Sequence, residues 1–270
     1  MVRLLPKEYK MDFLKQITDP YDCKARLYPA LLVLLPLFFV FATFFYDEIG
    51  ALKLLLSIVV GAGGMFFLAQ LARDKGKTIE TDLFRVWGGM PSVAIFRHRD
   101  TSLDTLTKQR YHEVMSNIIK EASAPSNKME KKNPDEADKV YVAWSSYLRT
   151  HTRDKKRFPL VFVENINYGY RRNTLGMKAW GIIFSLASTI AVGVGNPVYL
   201  YFALHQKFWI NPIDPLLLCS FLFSLSFLLF WIFKVTKAWV KIPADAYSQR
   251  LIETIDELSE KKESRVNPKK

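Results

Sequence analysis

AWGIIFSLASTIAVGVGNPVYLYFAL, residues 179–204, runs for 26 residues without a charge. A helix needs about 20 apolar residues to cross the hydrocarbon core of a bilayer. Working outward, residues 215–233 repeat the pattern, and residues 27–45 and 54–72 repeat it on the far side of a long polar segment, each block again uncharged. A soluble core spreads its apolar residues with a period of 3.6 or 2, whereas blocks of this kind read as spans. The expected fold class is mainly α: a polytopic membrane protein with two transmembrane helical hairpins, residues 27–72 and 179–233, flanking a helical cytoplasmic domain, residues 73–178. An amphipathic segment, residues 1–26, precedes them, and a C-terminal helix and tail, residues 234–270, follow. Residues 1–26 contain no apolar h-region, so the first block is expected to act as an uncleaved anchor.

Charge gives the orientation. Of the 38 Lys and Arg residues, six lie in 1–26, 21 in 73–178 and nine in 234–270, which leaves Lys53 and Lys207 for the two short connections. Cations near span ends are held on the cytoplasmic side. Both termini and the central segment are therefore expected in the cytoplasm, with the chain multi-pass in the inner (plasma) membrane. The central segment has 13 of the 26 acids and so carries +8 of the formal charge of +12. The two cysteines, Cys23 and Cys219, are too far apart in sequence to suggest a disulfide or metal framework.

Small residues at Ser57, Gly61 and Gly64 let helix backbones approach closely, and Ser220, Ser224 and Ser226 can hydrogen-bond between helices. Both features predict a homo-oligomer. Pro36 is expected to bend the first span and Gly195-Asn196-Pro197 to break the third. Trp180, Trp209, Trp231 and Trp239 fall near span ends, as interfacial anchors do. In the central segment, the helical spacing of apolar residues in 79–87 continues the second span as helix until Gly88-Gly89-Met90-Pro91 stops it. Residues 92–96 could be extended. A helix is expected from about Ser102, a surface loop over 124–133, a helix opening at Asn133-Pro134-Asp135-Glu136, and another from Pro159 that feeds the third span. Tyr247, Leu251, Ile255 and Leu258 form a narrow apolar stripe suited to a helix–helix contact.

The chemistry-bearing residues gather at Arg97, His98, Arg99, Asp100, Lys108, Arg110 and His112. Two imidazoles, three guanidiniums and a carboxylate within 16 residues suit an anion site, an acid–base site or a buried ion-pair network. Arg171 and Arg172, with the basic run 149–157, form a second cationic set, which can equally serve lipid phosphates. The expected anion-binding residues are Arg97, His98, Arg99, Lys108, Arg110, His112, Arg171 and Arg172. His98, His112 and His151 lack ligand spacing, so no metal is expected. No nucleophile motif or cofactor fingerprint occurs, and no catalytic residue or cofactor is assigned. The alternatives are a membrane-bound enzyme using His98, Asp100 and His112, or a simple oligomeric channel. The spans carry no charge, which disfavours ion-coupled transport.

The stretches Asp19–Pro29, Arg97–Asp100, Lys108–His112 and Glu164–Asn173 look like motifs of an uncharacterised bacterial membrane family. The order of parts resembles the small four-span effectors of bacterial conflict, or antiphage defence, systems, in which a cytoplasmic domain answers a cue and the spans act on the membrane. The resemblance covers the whole chain as architecture. It implies a membrane effector or signal-coupled scaffold. The basic surplus of the central segment sets the other expected partners, membrane lipids and a nucleotide or acidic protein, and because the aromatics of the second cationic set do not alternate with its cations no nucleic acid is expected.

Overall fold

A computed structural model of the chain describes residues 19–44, 50, 53, 63–203 and 215–266, and of 195–203 and 260–266 the backbone alone. The protein is mainly helical, and the described residues contain no strand. Residues 1–18, Ser57, Gly61 and the connection 205–214 lie outside them, and with them most of the amphipathic segment 1–26, two of the three expected packing residues and the second short connection.

In chain order the described helices are α1 (Asp22–Phe44), α2 (Gly64–Trp87), α3 (Pro91–Ala94), α4 (Thr105–Ile118), α5 (Asn127–Lys132), α6 (Pro134–His151), α7 (Pro159–Gly176), α8 (Lys178–Ala203), α9 (Pro215–Lys234) and α10 (Lys237–Val266). They form two compact units. One is Met1–Ile79 with Gly169–Val240, the other Glu80–Tyr168 with Lys241–Lys270. The division falls inside α2, α7 and α10, so each of these helices contributes residues to both units.

In the first unit α1 and α9 are each long and apolar enough to cross a membrane, and α7 with α8, bent by 60° at their junction, passes as a third span if taken together. The second apolar block, 54–72, lies within the described residues only from 63 onward, and α2 begins at Gly64 after Gly63 at φ 78°. Leu35, Phe39, Ile183, Ile190, Leu222 and Phe233 point outward on α1, α8 and α9. Such a surface is costly in water and neutral in lipid. Inside the bundle, Ala30, Val33, Ala72, Met177, Trp231 and Val235 form the core. Trp231 is thus fully buried on Gly181 rather than an interfacial anchor. Thr43 Oγ1 and Ser220 Oγ hydrogen-bond between α1 and α9, and Phe39 stacks on Phe223 with centroids 4.6 Å apart. The backbone of α8 runs as helix through Gly195-Asn196-Pro197, where a break is expected from sequence.

The opening of α1 shows how proline is accommodated. Pro29 has no N–H, so the Ala25 carbonyl one turn earlier lacks its usual helical donor. The first turns, Asp22–Leu27, widen to a π-helix, and the Asn173 side-chain amide donates to Ala25 O at 2.6 Å. Ala25 of the stretch 19–29 and Asn173 of the stretch 164–173 therefore meet in space. Lys178 Nζ similarly donates to Ile232 O and Val235 O at 3.1 and 2.8 Å, closing the C-terminal turns of α9 where a cation suits the helix dipole.

The second unit has its own core. Ala137, Tyr141, Trp144 and Leu148 recur along one face of α6, and Leu251, Ile252 and Ile255 come from α10. Phe96, Tyr111 and Met115 fill the space between them. Each fully buried large side chain contributes about 1.5–3 kcal/mol. The stripe on the C-terminal helix thus completes this core rather than standing apart. Two local readings are corrected: 92–96 is the end of helix α3 and a hydrogen-bonded turn, not extended, and 124–133 contains α5, capped by Ser126 Oγ accepting from Met129 N at 3.2 Å.

Candidate functional site

The site starts from a glycine turn. Gly88, at φ 77°, and Gly89, at φ 135°, close α2 with Gly89 N–H donating to Phe84 O at 2.7 Å and Gly88 N–H to Arg85 O at 3.3 Å. This paired pattern is the Schellman stop, which glycine enters without steric cost. It leaves the Gly88 carbonyl pointing at Arg97, whose Nη1 donates to it at 2.6 Å. A Cβ on Gly89 would lie 2.5 Å from Arg97 Nη2, so glycine also makes room for the guanidinium. The other edge of Arg97 forks onto α6: Nε to Asp138 Oδ1 at 2.9 Å and Nη2 to Asp138 Oδ2 at 2.6 Å.

The carbonyls of the turn that carries Arg97 are satisfied from α4. Lys108, itself buried, donates through Nζ to Arg97 O at 2.8 Å and to Asp100 O. One helical turn on, His112 Nε2 donates to Phe96 O at 2.8 Å. His98 Nε2 donates to Pro125 O at 2.8 Å, and its main-chain N–H donates to Glu130 Oε2 at 2.9 Å. Tyr141 Oη donates to the same carboxylate oxygen at 2.9 Å. The two imidazoles meet edge to face with centroids 5.0 Å apart, and His112 also packs on Trp144 at 5.2 Å.

These groups border a cleft of about 820 Å³ along α4, lined by His98, Asp100, Lys108, His112, Ser116 and Pro125 among others. Small-molecule sites occupy about 300–1,000 Å³. Neither Arg97 nor Asp138 is among its lining residues, which include Asp104, whose Oδ1 caps α4 by accepting from Thr107 N at 2.8 Å.

The eight sequence-selected residues separate into three places. His98, Lys108 and His112 line the cleft, Arg97 is held by Asp138, and Arg99 is exposed beside them. Arg110 lies on another face of α4 and pairs with Asp256 of α10 at 3.0 Å, where Tyr111 Oη also donates at 3.1 Å. Arg171 and Arg172 belong to the first unit. Arg171 donates to Trp239 O at 3.0 Å and sits 4.9 Å over its ring, and Arg172 Nη2 donates to Asn173 Oδ1 at 3.0 Å. Of the expected packing residues, Gly64 opens α2, half-buried. Sequence reasoning misses Asp138, Glu130 and Tyr141. The lone acid in the lysine run Asn127–Lys132 is the one available signal for Glu130. Among the described residues no three His, Cys, Asp or Glu side chains gather as metal ligands.

Burial, assisted by His98 and Lys108, holds the His112 imidazole below its ordinary 6.5 against the opposing Phe96 hydrogen bond. Burial likewise lowers Lys108. Burial pushes Glu130 up, but the His98 N–H, the Tyr141 hydroxyl and neighbouring donors together hold it below 4.5. Burial and Asp256 push Tyr111 up to about 12 from 10.0. The signs follow from linkage. As pH falls below 6.5 the unfolded chain binds the His112 proton first, so stability declines. It declines further as pH falls through the lowered Glu130 range, and at the other end as pH rises from 10.0 towards 12 through Tyr111. The melting temperature of the detergent-solubilised chain is therefore expected to drop on mild acidification, and less so in His112→Gln. Equal acid slopes in the two proteins would remove His112 as the cause.

No protein-family model, curated protein or solved structure matches the chain.

Proposed function

We propose that the protein is a membrane-embedded effector or signal-coupled scaffold whose second unit takes a small ligand or acidic partner in the cytoplasm and acts through the membrane-spanning helices. The observation that carries this reading is the cleft at His98, Lys108 and His112, set on a buried hydrogen-bonded frame in a chain that also has membrane-crossing helices. A rigid frame with a few convergent polar groups is what ligand recognition needs. Exposed Arg99, Lys128, Lys131 and Lys132 add cations that suit an anionic partner or lipid headgroups. Helices α2, α7 and α10, which supply residues to both units, are the covalent route by which ligand binding would reach the membrane. The resemblance in order of parts to small effectors of bacterial conflict systems agrees with this reading, with antiphage defence in the inner membrane as its setting and a homo-oligomer as its form.

The second reading, a membrane-bound enzyme using His98, Asp100 and His112, has one observation in its favour: the two rings face each other at the cleft. Against it, both Nε2 atoms are tied to main-chain carbonyls, and Asp100 Oδ1 accepts from Ser102 N at 2.9 Å rather than from an imidazole.

Expression in bacteria loaded with a potential-sensitive dye tests the effector reading. Wild type is expected to depolarise the cells, and Thr105→Trp, which fills the cleft from an exposed rim position, to suppress the response while the protein stays membrane-inserted. Unchanged potential at full expression of wild type overturns it. In the same cells, a cysteine at Lys207 is expected to react with an impermeant reagent and one at Lys131 to stay protected; the reverse overturns the orientation.

A further inference from the structure

We propose that the cleft holds its ligand chiefly by accepting hydrogen bonds from it, so that the ligand is a neutral amino- or amide-bearing heterocycle of the nucleobase class, docked on His98 Nδ1 and His112 Nδ1. This rests on the reading of the cleft as a ligand site.

The tautomers are set by main-chain partners. His98 Nε2 faces Pro125 O and His112 Nε2 faces Phe96 O, both at 2.8 Å. A carbonyl oxygen can only accept, so each neutral ring carries its proton on Nε2 and presents a lone pair at Nδ1. Neither Nδ1 makes a hydrogen bond to the described residues, although both rings line the cleft. Burial keeps His112 in the neutral form. Beside these two acceptors stands one cationic donor. The Lys108 ammonium gives hydrogens to Arg97 O and Asp100 O and has a third left for the cleft.

The cleft lacks what a phosphate would require. No arginine is among its lining residues, and nearby Arg97 spends its fork on Asp138 and its remaining edge on Gly88 O. Asp100, Asp104 and Glu113 line the cleft and repel a second anion. The two imidazole acceptors beside the Lys108 donor match the edge of an amino-heterocycle or primary amide, which offers N–H groups beside a ring nitrogen or carbonyl. Leu103, Ala124 and Pro125 supply apolar wall for a flat ring.

The test uses the full chain in detergent, thermal stabilisation as readout, and adenosine, cytidine and nicotinamide as probes, with inorganic phosphate and pyrophosphate as anionic controls. At least one heterocycle is expected to stabilise, less so as pH falls through the lowered range of His112, whose Nδ1 no longer accepts once protonated. Glutamine places its amide nitrogen where histidine has Nε2 and has no atom at Nδ1. His98→Gln and His112→Gln therefore keep the carbonyl partner, and each is expected to weaken the heterocycle about tenfold, the worth of one hydrogen bond. Nitrogen-15 spectra of the histidines in the unliganded protein are expected to show both protons on Nε2. Stabilisation by phosphate or pyrophosphate that strengthens in acid overturns the inference and leaves the cleft a ligand site. Heterocycle binding untouched by both glutamine variants, or no stabilisation by any probe, overturns it outright.

Discussion

Replacing Asp138 by alanine is expected to destabilise the second unit by about 3 kcal/mol and to abolish ligand binding at the cleft. Breaking a buried ion pair by removing one partner costs about 3–5 kcal/mol, because the survivor stays buried and uncompensated. The Arg97 side chain is 10% exposed and that of Asp138 29%, so water reaches the pair from one side and the lower end of the range applies. The guanidinium would keep its bond to Gly88 O at 2.6 Å but lose both bonds to the carboxylate. The damage passes directly to the cleft, since the Arg97 and Asp100 carbonyls that hold Lys108 belong to the same turn. Arg97→Lys is not a rescue, because an ammonium cannot reproduce two parallel bonds and a third to a carbonyl. The double replacement Arg97→Met with Asp138→Leu is expected to recover most of the stability, as apolar substitutes for buried pairs often do. Denaturant unfolding of the solubilised chain measures each step. Asp138→Ala indistinguishable from wild type would show that the pair contributes nothing.

How much of this was legible in the sequence depends on the range of each interaction. The uncharged blocks 27–45 and 215–233 correspond to helices able to cross a membrane because such helices need only length and composition. The stop at Gly88-Gly89 and the start at Pro134 are likewise local, written in residues whose backbone preferences act within one turn. The core stripe on α10 was legible as a stripe, but its destination was not. The proximity of His98 and His112 could be anticipated because a short turn and the first turns of one helix bring them together. Arg97 is different. A buried arginine needs an acid, and nothing in its neighbourhood says that the acid is Asp138, 41 residues on. Glu130 is hidden for the same reason. In sequence it is one acid among lysines in a breaker-rich segment, and only the His98 N–H and the Tyr141 hydroxyl explain its burial. The continuous backbone of α8 through Pro197 shows the opposite failure, a local signal for a break that the helix does not follow.

Gly176→Ala is expected to be the most damaging single-methyl change in the first unit. The added Cβ would lie 2.6 Å from Gly76 N and Lys75 C and 2.7 Å from Lys75 O. These atoms are backbone of α2, so no side chain can rotate away and the two helices must separate. Overpacking of this kind costs about 1–3 kcal/mol and occasionally more, and here a second loss is coupled to it. Three residues earlier on α7, Asn173 bridges α2 and α1: its Oδ1 would be 1.9 Å from a Cβ on Gly76, and its Nδ2 donates to Ala25 O at 2.6 Å. Moving α7 off α2 pulls that amide from the carbonyl that Pro29 leaves without its helical donor, at a place where Ala25 and Asn173 are both fully buried and water offers no ready replacement. The combined cost is expected to reach about 4 kcal/mol, overpacking plus one unmade buried hydrogen bond. Asn173→Leu separates the parts, because it removes the amide without adding bulk between the backbones. It is expected to cost less than Gly176→Ala, and Gly176→Ala on top of it should add only the overpacking. Melting temperatures of the four proteins in one detergent decide the matter. Strict additivity of the two single changes would mean that the close helix crossing and the Asn173 bridge act independently, against the coupling argued here.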